Sequence, residues 1–356
     1  MSINEKELNQ KNEGVKTKVI DCDIHEMLKS VKQLFPYLKE PYKKWIKYGW
    51  RPGGLRYAHP IGGLRLDSYP DKGLPGSDYE LVKRQVLDEY NVEYAILTGL
   101  FYPSQLDCQR ELASALASAY NDWVIDEWLS KDSRFKASIQ ITGQDVPASV
   151  REIDRLGPHP DMVQVMLPVS AWRWGEPQFH PIFEAAERHN LRIAFHQSDK
   201  TSPAYGHPNY YIEWHSMFTQ AFMAQVGSLI FNGVFDKYPG IKVIMLEGGF
   251  TWVPHVMWRM DQNYKSLRSE VPWVKRMPSD YIRDHFVFST QPIEDPNPKY
   301  LKQIVDMMES DQMLVFATDY AHWDFDSPTR SLPTSFSKEF KQKVLYDNAK
   351  RFYGFD

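Results

Sequence analysis

The chain has 356 residues, 42% hydrophobic and 25% charged, the usual balance of a globular protein. Its formal net charge of -4 supplies no basic field, so neither nucleic acid nor an anionic membrane is an expected partner. At roughly 100–200 residues per domain the length allows two domains, but α/β barrels of 250 or more residues commonly form one. Trp (11), Tyr (20) and Phe (19) exceed what a core alone needs, which suits loops lining a pocket or an oligomer interface. The two cysteines, Cys22 and Cys108, lie far apart and outside any CxxC pair. That argues against a disulfide framework or structural zinc site and fits a reducing, cytoplasmic compartment. Residues 1–17 are polar and lack an apolar core, so they read as a disordered or loosely docked arm, not a secretory signal. No run of about 18 apolar residues is present to span a membrane.

Short β-branched or apolar runs alternate with longer amphipathic stretches. The expected strands cover residues 19–23, 93–98, 136–141, 162–167, 192–196, 242–246, 285–289 and 313–318. The spacing of Leu112, Leu116, Ala119, Trp123 and Leu129 predicts a helix over 106–130. A second helix is expected over 179–190. A third, long and apolar, is expected over 217–238, stopped by Pro239-Gly240. Eight strands with helices between them predict one (β/α)8 TIM barrel over residues 18–356. Three long stretches, 26–78, 198–215 and 263–284, break the rhythm and read as active-site loop insertions or interface segments.

The ionisable residues fall at the strand ends. Asp23 and His25 close the first strand, His196 closes the fifth, Glu247 follows the sixth and Asp319 the eighth. In a barrel the C-terminal strand ends converge on one mouth, where active sites sit. The i, i+2 spacing of Asp23 and His25 points both to one face of a strand. By the same alternation Cys22 faces the helices as a small buried hydrophobe. Imidazole and carboxylate are ligand types for zinc, manganese or iron. Each residue alone has an ordinary structural reading: a buried His is commonly just hydrogen-bonded, and an Asp after a strand is commonly a helix N-cap. Their coincidence at four strand ends points to one divalent metal ion, zinc first and manganese second.

The stretches IDCDIHE (20–26), IAFHQS (193–198), GVFDKYPGIKVIMLEGGFTWVPHVMWRMD (233–261), LVFATDYAHWD (314–324) and DNAKRFYGF (347–355) carry a family resemblance. The chain resembles the amidohydrolase superfamily, in its branch of aminocarboxymuconate-semialdehyde and resorcylate-type decarboxylases. The resemblance implies a single metal held by Asp23, His25, His196 and Asp319, with Asp319 doubling as general base. It implies hydrolysis or non-oxidative decarboxylation of a small carboxylate-bearing, aromatic or cyclic substrate, and, with the aromatic excess, a homodimer. The chain departs from the resemblance twice. Asp23 stands where many relatives have the first His of a His-x-His, and Glu247-Gly248-Gly249 stands where several decarboxylases have His-Gly-Gly. No Lys at a strand end offers a carbamate bridge between two metals.

Glu247 and His322 join Asp319 as catalytic candidates. A merely structural Glu247 would pair with a buried cation such as Arg259. Trp172, Trp174, Trp214 and His215 are candidate pocket residues. His255 is expected toward the core or behind the ligands, and Arg259 paired with Asp261 or another carboxylate. The competing reading is a catalytically inactive barrel that binds a small molecule or serves as a scaffold.

Overall fold

Eight apolar runs form eight parallel strands: β1 (Val19–Ile24), β2 (Val92–Leu97), β3 (Phe135–Gln140), β4 (Met162–Pro168), β5 (Arg192–His196), β6 (Val243–Leu246), β7 (Phe286–Ser289) and β8 (Leu314–Val315). The computed structural model describes residues 17–48, 62–99, 108–169, 172–198, 208–294 and 297–355. Each strand pairs in parallel with the next. The ends of the sheet meet: Cys22 N–H donates to Phe316 O (3.0 Å), His25 N–H donates to Tyr320 O (2.7 Å), and Ile24 bridges Tyr320. The closed order and intervening helices make the expected (β/α)8 barrel.

Alternation sorts the side chains. On β5, Ile193 and Phe195 join the core between sheet and helices, while Ala194 and His196 face the interior. Ile20, Ile96, Met166, Ala194, Ile244 and Val315 fill that interior, and Phe352 and Tyr353 of the C-terminal helix (Asn348–Tyr353) plug its lower end. Tyr353 Oη donates to Gln164 Oε1 (2.8 Å), and Arg192 Nε donates to Phe352 O (2.6 Å). These bonds pin the plug to the starts of β4 and β5.

Cys22 belongs to this interior cluster, so the expectation that it faces the helices is corrected. The register of β1 on β2 shifts between Asp21 and Ile24, and simple alternation fails there. The long helix expected over 217–238 is instead three, Tyr211–Met217, Thr219–Phe231 and Val234–Lys237. Gly233, at φ +73°, takes the left-handed turn between the last two, where a Cβ would also strike the Trp273 ring. The helix begun in the expected 106–130 region spans Arg110–Val124 and continues in wider π-type turns over Ile125–Leu129. The stretch 263–284 is mostly helix, taken up by Val253–Leu267 and Pro278–His285, not a loop. Parts of the other two insertions (residues 49–61 and 199–207) and the arm up to residue 16 lie outside the described residues. Of those described, 26–78 contains the helix Tyr42–Tyr48, and 198–215 ends within Tyr211–Met217. No helix among the described residues is long and apolar enough to cross a membrane.

Candidate metal centre

Asp23, His25, His196 and Asp319 come together at the C-terminal mouth of the barrel. All four are fully buried, and one donor atom from each lies within 4.8 Å of the others. Glu247 and Asp319 leave their strands through left-handed backbone, at φ 59° and 56°. For a non-glycine residue that costs of order 1–3 kcal/mol, a strain that surrounding structure sustains at functional sites. Gly248 follows because a Cβ there would lie 2.8 Å from the Phe222 ring.

The hydrogen bonds of the two imidazoles fix their chemistry. His25 Nδ1 lies 2.8 Å from Gly99 O, and His196 Nδ1 lies 2.8 Å from Gln197 O. A carbonyl only accepts, so each Nδ1 carries the proton, and in the neutral ring each Nε2 turns a lone pair into the mouth. There His25 Nε2 is 2.7 Å from Asp319 Oδ1 and 3.6 Å from Asp23 Oδ1, while His196 Nε2 is 3.3 Å from Asp23 Oδ2 and 3.2 Å from Glu247 Oε2. Asp23 Oδ2 and Glu247 Oε2 are buried and accept no hydrogen bond among the described residues. Donors and acceptors of this kind are costly to bury unless something positive lies between them. Atoms on one tetrahedral ion, each about 2.0–2.2 Å from it, stand about 3.3–3.6 Å apart, so the 3.2, 3.3 and 3.6 Å separations fit a cation, while the 2.7 Å between His25 and Asp319 is a hydrogen-bond distance.

The protein's own charges polarise the cluster further. Burial opposes the charged form of His196, but the carboxylates of Asp23, Glu247 and Asp319 outweigh it and raise its pKa to about 9. Burial likewise opposes charge on Asp319, but His322 and His25 hold its carboxyl well below the usual range. Burial, reinforced by Asp319, pushes Glu247 far up.

Behind the cluster stand residues that sequence reasoning missed. Thr98, just past β2, donates from Oγ1 to Asp23 Oδ1 (2.5 Å). Gln291, just past β7, donates from Nε2 to Asp319 Oδ2 (3.0 Å). Glu26 accepts from Gly99 N–H (2.9 Å) and from Tyr120 Oη (3.0 Å), holding the Gly99 carbonyl that orients His25. Such partners orient ligands and fix their tautomers. The available signal was their place at or beside a strand end; Thr98 and Gln291 are not obvious ligand types there, and Glu26 is a carboxylate turned to Gly99 and Tyr120 instead of the cluster.

His322 Nδ1 contacts Asp319 Oδ1 at 2.7 Å, and its side chain keeps slight solvent access. His215 joins Glu247 and Asp324 in a group beside the centre. Its ring stacks on Tyr211 and lies beside Trp323, whose Nε1 donates to Tyr211 Oη (3.2 Å). Trp174 and Trp214, candidate pocket residues, are both buried. Trp174 is fully buried, donates to Pro168 O (2.9 Å) and packs on Phe179, and Trp214 is buried against Phe218. Trp172 is half-buried against Trp174 and Phe179. His255 and Arg259 are exposed, against expectation, because the helix Val253–Leu267 turns Val256, Met257 and Met260 inward instead. Asp261 takes its hydrogen bonds from Ser279, and Glu247 faces His196 and His215 where Arg259 had been the candidate partner.

Two imidazoles and several carboxylates buried at the mouth of a (β/α)8 barrel define a metal-binding barrel enzyme. The family model described as Amidohydrolase matches residues 20–355, and the chain belongs to that family. It is 23% identical over 307 residues to a gamma-resorcylate decarboxylase of Rhodococcus jostii, covering 78% of this chain and 88% of that one. It is 24% identical over 281 residues to a 2-amino-3-carboxymuconate-6-semialdehyde decarboxylase of Dictyostelium discoideum, covering 77% and 76%. An amidohydrolase from Mycobacterium avium subsp. paratuberculosis shares the fold with TM-score 0.74 at 17% identity, over 96% of this chain and 99% of that one. So does a dihydroxybenzoic acid decarboxylase from Polaromonas sp., solved with bound manganese and 2-nitroresorcinol, with TM-score 0.68 at 18% identity over 95% and 97%.

Proposed function

We propose that the protein is a metal-dependent, non-oxidative decarboxylase of a small aromatic or cyclic carboxylate. One observation carries the reading: two imidazole Nε2 atoms and the unsatisfied Asp23 Oδ2 converge in a fully buried group at the barrel mouth. The decarboxylase names of the sequence relatives support the choice of chemistry. Asp23, His25, His196 and Asp319 would hold one divalent cation. The mixed nitrogen and oxygen set suits zinc, and the manganese of the Polaromonas structure supports manganese beside it. Such a cation supplies Lewis acidity toward a substrate oxygen.

The remaining work belongs to the protein. Decarboxylation breaks the bond between a carbon and its carboxylate, leaves the electron pair on that carbon and requires a proton there as carbon dioxide departs. Asp319 and His322, 2.7 Å apart, form the couple that holds and delivers this proton. His322 connects the couple to solvent, and Gln291 keeps Asp319 oriented. Glu247 presents a further carboxyl group to the same mouth. Tyr211, His215 and Trp323 provide stacked rings beside it for a flat substrate. A cytoplasmic homodimer completes the reading. Trp258 and Trp273, about half exposed, are aromatic residues that suit such an interface.

The test is a panel of hydroxybenzoates and related carboxylates given to protein reloaded with Mn(II) or Zn(II). Carbon dioxide released in step with the decarboxylated product supports the reading. Amide or ring cleavage without carbon dioxide overturns it in favour of hydrolysis, and protein that takes up no metal favours the inactive barrel.

A further inference from the structure

We propose a second divalent-cation position beside the first, held by His215, Asp324 and Glu247, with Glu247 spanning the two. The proposal rests on reading the strand-end cluster as a cation site and adds a metal that reading does not require.

Three observations carry it. The first is spacing. His215 Nε2 lies 3.4 Å from Asp324 Oδ2 and 3.8 Å from Glu247 Oε1, and one donor atom from each residue lies within 4.8 Å of the others. These separations match the about 3.3–3.6 Å between ligands of one small cation, or slightly exceed it, and are too long or marginal for good N–H···O hydrogen bonds.

The second is satisfaction. His215 Nε2 and Asp324 Oδ2, which face each other, are buried atoms with no hydrogen-bond partner among the described residues, and so is Glu247 Oε2 on the side turned to His196. Glu247 is 3% exposed and the side chain of Asp324 11%. An unsatisfied buried donor or acceptor costs about 1–3 kcal/mol, more if charged, and the two that face each other beside the Glu247 carboxyl group share one remedy.

The third is charge. One divalent cation balances Asp23 and Asp319, leaving Glu247 and Asp324. Among the described residues the ion pairs of these four carboxylates are made only with imidazoles, never with Lys or Arg. A second divalent cation would balance Asp324 and hold Glu247 in its carboxylate form.

Glu247 joins the two positions. Its Oε2 lies 3.2 Å from His196 Nε2 in the first, and its Oε1 faces His215 in the second. A carboxylate between paired cations about 3.5–4 Å apart is a common device of two-metal sites. The absence of a strand-end Lys removes the carbamate bridge, and Glu247 offers a carboxylate bridge from β6 instead.

The experiment titrates metal-stripped full-length protein with Mn(II) and counts bound metal by elemental analysis after dialysis, with electron paramagnetic resonance on the same samples. Two equivalents and an exchange-coupled spectrum are expected for the unmodified protein. Asp324→Asn and His215→Asn should each fall to one equivalent, with the spectrum of an isolated ion and unchanged circular dichroism. Saturation at one equivalent, or two equivalents persisting in both variants, overturns the second site and leaves the first intact. No bound metal at all would instead overturn the strand-end centre. If either variant fails to fold, the count and spectrum of the unmodified protein still decide.

Discussion

Replacing Thr98 by Val removes one hydroxyl and almost no volume. In the native site that hydroxyl donates to Asp23 Oδ1 at 2.5 Å, in a fully buried environment. A hydrogen bond to a charged group contributes about 1.5–3 kcal/mol. At about 1.4 kcal/mol per factor of ten, its loss should weaken metal binding about 10- to 150-fold. That overlaps the 10- to 100-fold typical of residues behind a metal ligand (roughly the same range). The loss falls on binding because Asp23 keeps its place on β1 but loses the group that orients its carboxylate. The assay is chelator competition for Mn(II) in the variant and unmodified protein, with melting curves of the metal-stripped forms as a control. An affinity change under about threefold would refute the reasoning, since the bond would then contribute nothing to the ligand's orientation. A large drop in the melting temperature of the stripped form, with unchanged affinity, would make Thr98 a structural residue only.

Three further outcomes follow from the same geometry. His196→Ala should abolish retention of the strand-end metal while leaving the barrel folded, because the interior cluster and plug lie below it; elemental analysis and circular dichroism check both halves. His322→Gln should keep the metal and lower turnover by about 10²-fold or more, the usual contribution of general acid–base catalysis, read from kcat at fixed metal occupancy. Gly248→Ala should cost about 1–3 kcal/mol in denaturant unfolding, since the added methyl meets a buried Phe222 ring at 2.8 Å.

The strands were legible because their signal is local. A run such as MVQVML or RIAFH suits a sheet buried on both faces whatever it pairs with. Alternation with helices then implied a barrel, and a barrel implied that Asp23, His25, His196, Glu247 and Asp319 share one mouth. No distance was needed for that step, since the topology brings strand ends together.

What the sequence could not supply depends on pairing and on turns between distant segments. Cys22 faces the interior because β1 slips register against β2, a fact about two strands and not about either alone. The apolar run 217–238 turns left-handed at Gly233, where Trp273, forty residues on, also leaves no room for a side chain. His255 was misplaced because composition marks a residue as ionisable without saying which face its segment turns inward. Asp324 meets His215 only after β5 and β8 have each delivered their following loops to the same rim. Composition and periodicity thus determined the barrel and which residues reach its mouth, because both act through neighbours in the chain. Which side chains touch there was decided by closure of the sheet, which sets distances between residues that the chain itself holds far apart.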